Sequence, residues 1–144
     1  MIRIRYTDDH DDEILALDAL LFPDPVLDDP LRIEPSAECW AAFDRDVLVG
    51  YAVAYLEPDG THYLDRYGVA PEYAGHGLGR RLLRRWVTEA RDAGAPCAWT
   101  YTHSHNAASI NALTGAGFRA WAPGIYPRTG APASERHCLW RRVL

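Results

Sequence analysis

The segment Val69-Ala-Pro-Glu-Tyr-Ala-Gly-His-Gly-Leu-Gly-Arg-Arg-Leu-Leu83 constrains this chain more than any other. Gly75, Gly77 and Gly79 alternate between a β-branched run ending at Val69 and a helical pattern. Leu78, Leu82, Leu83, Trp86, Val87 and Ala90 recur at helical spacing, with Arg81, Arg84, Arg85 and Arg91 away from that face. Gly94 and Pro96 stop the helix. A strand, a glycine turn and a helix in this order leave several backbone N–H groups bare at the helix N-terminus. With the positive end of the helix dipole they form an anion site, most often for phosphate. Glycine allows close backbone approach and positive φ there.

Two phosphate-binding motifs are excluded or weakened by the residues themselves. A Walker A loop needs a lysine, and all fifteen basic residues here are arginine. A dinucleotide fingerprint needs G-x-G-x-x-G with an acid about 20 residues further on. The spacing here is G-x-G-x-G, and Glu89 and Asp92 fall inside the helix.

Around that centre the pattern predicts a strand over Ile2–Tyr6 and a helix capped by Asp11 or Asp12 that ends before Pro23. An irregular, proline- and acid-rich stretch runs from Phe22 to Pro35. Trp40–Phe43 and Val47–Glu57 read as a hairpin across Arg45-Asp46, and Pro58-Asp-Gly60 as a turn. Strands follow over Thr61–Val69 and Ala98–Thr102, then a short helix over Ala107–Gly115. Phe118–Trp121 and Arg136–Val143 read as a final antiparallel pair joined by a Pro/Gly-rich loop. No repeat or linker divides the 144 residues, so one domain over 1–144 is expected.

Two motifs in this order carry a family resemblance. Val69 and Pro71, followed by Gly77 and Gly79, resemble the coenzyme-A-binding signature of the GNAT superfamily of N-acetyltransferases: a strand ending in V-x-P, then [RQ]-x-x-G-x-[GA]. Ala74 departs from the usual Arg or Gln. Asn106-Ala-Ala-Ser-Ile110 resembles the N-x-x-[AS]-I opening of the family's next helix, and Gly117-Phe118 its closing G-F. The resemblance covers about residues 40 to 122.

It implies an α/β (α+β) fold with a mixed central sheet of about six or seven strands and about four helices, in β-α-β-β-β-α-β-α-β order. The implied reaction is direct transfer of an acetyl group from acetyl-CoA to an amine. The cofactor would lie on Val69, Ala70, Pro71, Ala74, Gly75, His76, Gly77, Leu78, Gly79 and Arg80, with Asn106 bonding the pantetheine arm. Asn106 is also a suitable helix N-cap, and the two roles can coexist. The amide of Val69 or a neighbour would stabilise the oxyanion. The alternative is a non-catalytic acyl-CoA-binding sensor or accessory module; a further one is an interaction domain with a decayed cofactor site.

The proton-transfer residues are the open part. The family's usual acid, a tyrosine four residues before the G-F glycine, is Leu113 here. A glutamate base used in one branch falls at Tyr101. A thiol of pKa near 8.5 leaves as thiolate at pH 7 for only about 2 kcal/mol, so the acid is dispensable, or Tyr126 or another tyrosine supplies it. Freeing a lysine-like amine costs about 4–5 kcal/mol, so a base helps. Asp65 and His62 lie on or beside the strand that would meet the thioester, and Tyr101, His103 and His105 share one strand face. His103 is the preferred base by intrinsic pKa, with Asp65 second. His103-x-His105 has no third ligand, so no metal is expected.

Charge is unevenly spread: residues 1–65 carry 16 acids and 4 arginines, residues 66–144 carry 4 acids and 11 arginines. That polarity suits an anionic cofactor and a cationic small-molecule or peptide amine, bound near Asp24, Asp28, Asp29 and Glu34. Nucleic acid is not indicated. No apolar run reaches membrane-span length and no signal peptide opens the chain, so a cytoplasmic monomer or homodimer is expected. Cys39, Cys97 and Cys138 fit a reducing compartment.

Overall fold

The computed structural model describes residues 1–144. Its elements are β1 (Ile2–Thr7), α1 (Asp11–Leu21), β2 (Glu38–Asp44), β3 (Val47–Leu56), β4 (His62–Val69), a 3₁₀ turn (Pro71–Tyr73), α2 (Leu78–Asp92), β5 (Cys97–His103), α3 (Ala107–Gly115), β6 (Arg119–Trp121) and β7 (His137–Val143). The strands form one sheet in the order β1-β2-β3-β4-β5-β7-β6. All neighbours are antiparallel except β4 and β5. The fold class and strand number are as expected from the sequence.

Period-2 alternation divides the core. Trp40, Ala52, Ala54, Leu64, Ala98 and Trp140 face α2 and α3, meeting Leu83, Trp86, Val87, Leu113 and Phe118. Cys39, Tyr51, Val53, Tyr55, Tyr63 and Trp99 face the other way, toward Ile14 of α1 and Leu31 of the loop after it. α2 buries all six apolar residues that the helical spacing singled out. It ends as read: Gly94 takes φ +79°, and the Ala95 N–H reaches back to the Ala90 carbonyl at 3.1 Å.

Three local expectations are corrected. Three α-helices form rather than about four. The connection from α1 to β2 carries Pro23, Pro25, Pro30 and Pro35, whose missing N–H groups oppose a helix there. α1 begins with His10, not Asp11 or Asp12, at the cap position and without a side-chain cap bond. The three acids Asp11, Asp12 and Glu13 occupy its first turn instead, where the helix dipole favours them. β5 ends at His103, so His105 lies in the following turn, exposed and off the strand face. No helix is long and apolar enough to cross a membrane.

Candidate active site

β4 and β5 pair over only two positions, His62 with Ala98 and Tyr63 with Trp99. A bulge separates them beyond that point. Val53 of β3 stands opposite Arg66 and Ala54 opposite Leu64, which leaves Asp65 as an extra residue in β4. Such a bulge bends its strand, while β5 stays paired with β7 along its whole length from Cys97 to His103. The two parallel strands therefore splay into a wedge. At its apex the Thr100 hydroxyl donates to the Leu64 carbonyl at 2.8 Å, satisfying a backbone group that lost its strand partner. A cavity of about 480 Å³ fills the wedge.

None of Val69 to Arg80 lines that cavity; the glycine turn follows the end of β4, where a Cβ at Gly79 would lie 3.7 Å from the ring of Tyr67, which does line it. Gly75 and Gly77 take φ +79° and +81°, and Gly77 is the N-cap of α2. No N–H group from Gly75 to Arg80 bonds within the protein; the first paired one is Arg81, to the Gly77 carbonyl at 3.1 Å. Six consecutive donors thus stay free at the positive end of a 15-residue helix. A Cβ at Gly75 or Gly77 would meet nothing within 4 Å, so left-handed backbone, not crowding within the protein, demands glycine there. Leu78 is buried with Ala70 and Leu82 and anchors the turn, while His76 and Arg80 are exposed. The donor set fits a pyrophosphate. Asn106 lines the cavity and caps α3, its Oδ1 accepting the Ser109 N–H at 3.1 Å.

The cavity lining also carries acidic and aromatic residues. The bulge turns Asp65 and Arg66 toward the same face: Asp65 accepts from the Tyr63 hydroxyl at 3.1 Å, and Arg66 bonds Asp18 of α1 at 2.9 Å and the Asp29 carbonyl at 2.6 Å. His103 meets Asp28 through Nε2 at 2.8 Å. With Asp28 as acceptor, Nε2 is the donor of this pair. The structure thus brings His103, Asp65 and Asn106 to one cavity. Asp28 and Asp29 join them from the acidic loop; Asp24 instead accepts the Val26 N–H within its own turn.

Two proposed residues sit elsewhere. Tyr126 does not line the cavity. Its hydroxyl accepts the Ser134 N–H at 2.8 Å and lies 2.7 Å from Nδ1 of His137, which does line it. His137 therefore separates Tyr126 from the wedge. Burial, then the neighbouring His103, holds the His137 pKa below the ordinary value, so it stays neutral. His62 is fully buried, accepting from Trp86 Nε1 at 2.9 Å and meeting Glu38 at 2.7 Å, in the core rather than the cavity. Sequence reading passed over His137 and Tyr67, both cavity residues on strands whose inward face alternation alone does not reveal.

Burial raises the Asp65 pKa, outweighing the opposing Tyr63 hydroxyl and the Arg66 and Arg128 charges. A carboxyl raised in the folded state stabilises the fold when protonated, and that contribution is lost as pH rises through the raised value. Asp65→Asn keeps an acceptor for Tyr63 but cannot ionise. It is expected to resist urea better than the parent at pH 7, with the gain fading as pH falls through the raised value and gone below the ordinary value of 3.8. Lower stability of the variant at pH 7 would contradict this account.

Comparison with known proteins agrees with the geometry. The model of the acetyltransferase (GNAT) family matches residues 5–118, so the match reaches further toward the N-terminus than the motifs did. A mycothiol acetyltransferase of Nocardiopsis dassonvillei is 37% identical over 79 residues, 53% of this chain and 23% of that protein. The chain therefore spans well under half the length of this curated relative. A Bacillus subtilis acetyltransferase solved in complex with CoA superposes with a TM-score of 0.77 at 21% identity, covering 100% of this chain and 99% of that one. The ribosomal-protein-S18-alanine N-acetyltransferase of Escherichia coli gives 0.74 at 19% identity, covering 99% and 94%.

Proposed function

We propose that this chain, which belongs to the GNAT acetyltransferase family, transfers an acetyl group from acetyl-CoA to a primary amine by direct attack on the thioester. The observation that carries this reading is the run of six unpaired N–H groups from Gly75 to Arg80, next in the chain after the strand whose wedge with β5 holds His103 and Asp65. Acetyl-CoA, when bound, supplies the electrophilic carbonyl. Backbone donors of the turn hold its pyrophosphate, and Ala74 costs only one side-chain contact. Asn106 bonds the pantetheine arm while capping α3. The free β4 edge, at Val69 or a neighbouring residue, directs N–H groups at the carbonyl oxygen as negative charge develops there. His103 removes the ammonium proton through Nδ1, directly or by way of one water. Asp28 orients the ring and stabilises the imidazolium.

The acceptor enters from the side of Asp28, Asp29 and Asp65. Arg66 is committed to Asp18 and the Asp29 backbone, and with Arg136, which also lines the cavity, it offsets this acidity only in part. A cationic small molecule or peptide amine fits best. The names of the curated relatives add mycothiol-type amines to the candidates. Thiol release should be screened across polyamines, aminoglycosides, amino acids, peptides and such amines. For the best acceptor, KM is expected to rise as salt screens the carboxylates. A salt-independent KM would remove the electrostatic part of the proposal. CoA retention without turnover on any amine would favour the accessory-module alternative.

A further inference from the structure

The wedge contains a hydroxyl with no role in the reading above. Tyr67 alternates with Val69 on the α2-facing side of β4. A Cβ at Gly79 would lie 3.7 Å from its ring and 4.0 Å from Val69. Tyr67 and Ser109 both line the cavity, and the Tyr67 hydroxyl sits 2.7 Å from Oγ of Ser109, on the first turn of α3. Tyr67 thus spans the track from the glycine turn to Asn106, the path on which an extended thiol-bearing arm must lie to reach the wedge. One helical turn beyond Ser109, Leu113 is fully buried in the core and has no proton to give.

We propose that Tyr67 donates the proton that the departing CoA sulfur takes up, with Ser109 as its positioning residue; this rests on the acetyltransferase reading of the site. In this arrangement Ser109 Oγ–H takes the donor role in the 2.7 Å pair, which leaves the phenol proton free for the sulfur. As the C–S bond breaks, its electron pair stays on sulfur. The Tyr67 O–H proton passes to that sulfur, giving the thiol, and the phenolate is held by Ser109 until solvent reprotonates it. Two protons leave the amine nitrogen in the full reaction. One replaces, through solvent, the proton Tyr67 gave, and the other is the net proton released. Burial raises the Tyr67 pKa and Ser109 alone opposes it; no charged group contributes, so the residue stays protonated as a donor must.

Tyr67→Phe keeps the ring against Gly79 and deletes only the hydroxyl. With the best acceptor, kcat at pH 7 is expected to fall about tenfold, at the low end for general-acid catalysis because a thiolate leaves readily. The deficit should shrink above about pH 8.5, where the free thiolate is the stable form. A merely structural loss would not follow pH in this way. A second readout needs no turnover. Thiolate absorbance of bound CoA should titrate at higher pH in Tyr67→Phe than in the parent, because the hydroxyl no longer bonds the thiolate. Ser109→Ala should show the same shift to a lesser degree. A variant with parental kcat at pH 7 and an unmoved thiol titration overturns the proposal. Absence of turnover by the parent on every amine overturns the acetyltransferase reading instead, and the thiol titration would then decide whether Tyr67 contacts sulfur.

Discussion

His103→Ala is expected to lower kcat/KM by about 10²-fold or more while leaving CoA affinity near the parental value. The imidazole is held by Asp28 on the acceptor side, away from the glycine turn, so its loss should not disturb cofactor contacts. The physical need for it depends on the acceptor. An ammonium of pKa about 10.4 gains far more from a positioned base than an α-amine near 8. The deficit should therefore be largest for lysine-like acceptors and smaller for α-amines. Asp28→Asn should reproduce part of it, since the ring loses the carboxylate that stabilises its charged form. Near-parental kcat/KM for His103→Ala across about pH 6 to 9 would eliminate His103 as the base, leaving Asp65 or an ordered water.

Gly77→Asp is expected to weaken CoA binding at least tenfold, about 1.4 kcal/mol, without unfolding the protein. Two effects act together. The new carboxylate stands at the helix N-terminus, where we propose that the pyrophosphate sits, and like charges repel there. The residue must also hold φ +81°, a left-handed conformation that costs a non-glycine residue about 1–2 kcal/mol. Aspartate tolerates that region better than most side chains, and open space surrounds the position, so the fold should survive. Calorimetric titration of a folded variant with CoA measures the effect. Unchanged affinity would sink the placement of the cofactor on this turn.

The sequence by itself determined the glycine turn, the helices α2 and α3, and most of the element order. The reason is that those features are local. The φ freedom of Gly75 and Gly77, the helical stripe of α2 and the N-cap of α3 each depend on residues within a few positions, and each was legible before the fold was known. The cavity that holds His103 and Asp65 was decided by tertiary structure. The Asp65 bulge exists only because β3 and β4 slip register, and the wedge exists only because β5 follows β7 instead of β4. Asp28 meets His103 across 75 positions, and Tyr67 meets Ser109 across 42, distances over which periodicity carries no information. Alternation placed His103 on one face of a strand but could not say which face was the cavity. It also could not show that His137 stands between Tyr126 and the wedge. Pairings between distant strands follow from the joint burial of both faces of the sheet, and only the assembled core fixes them.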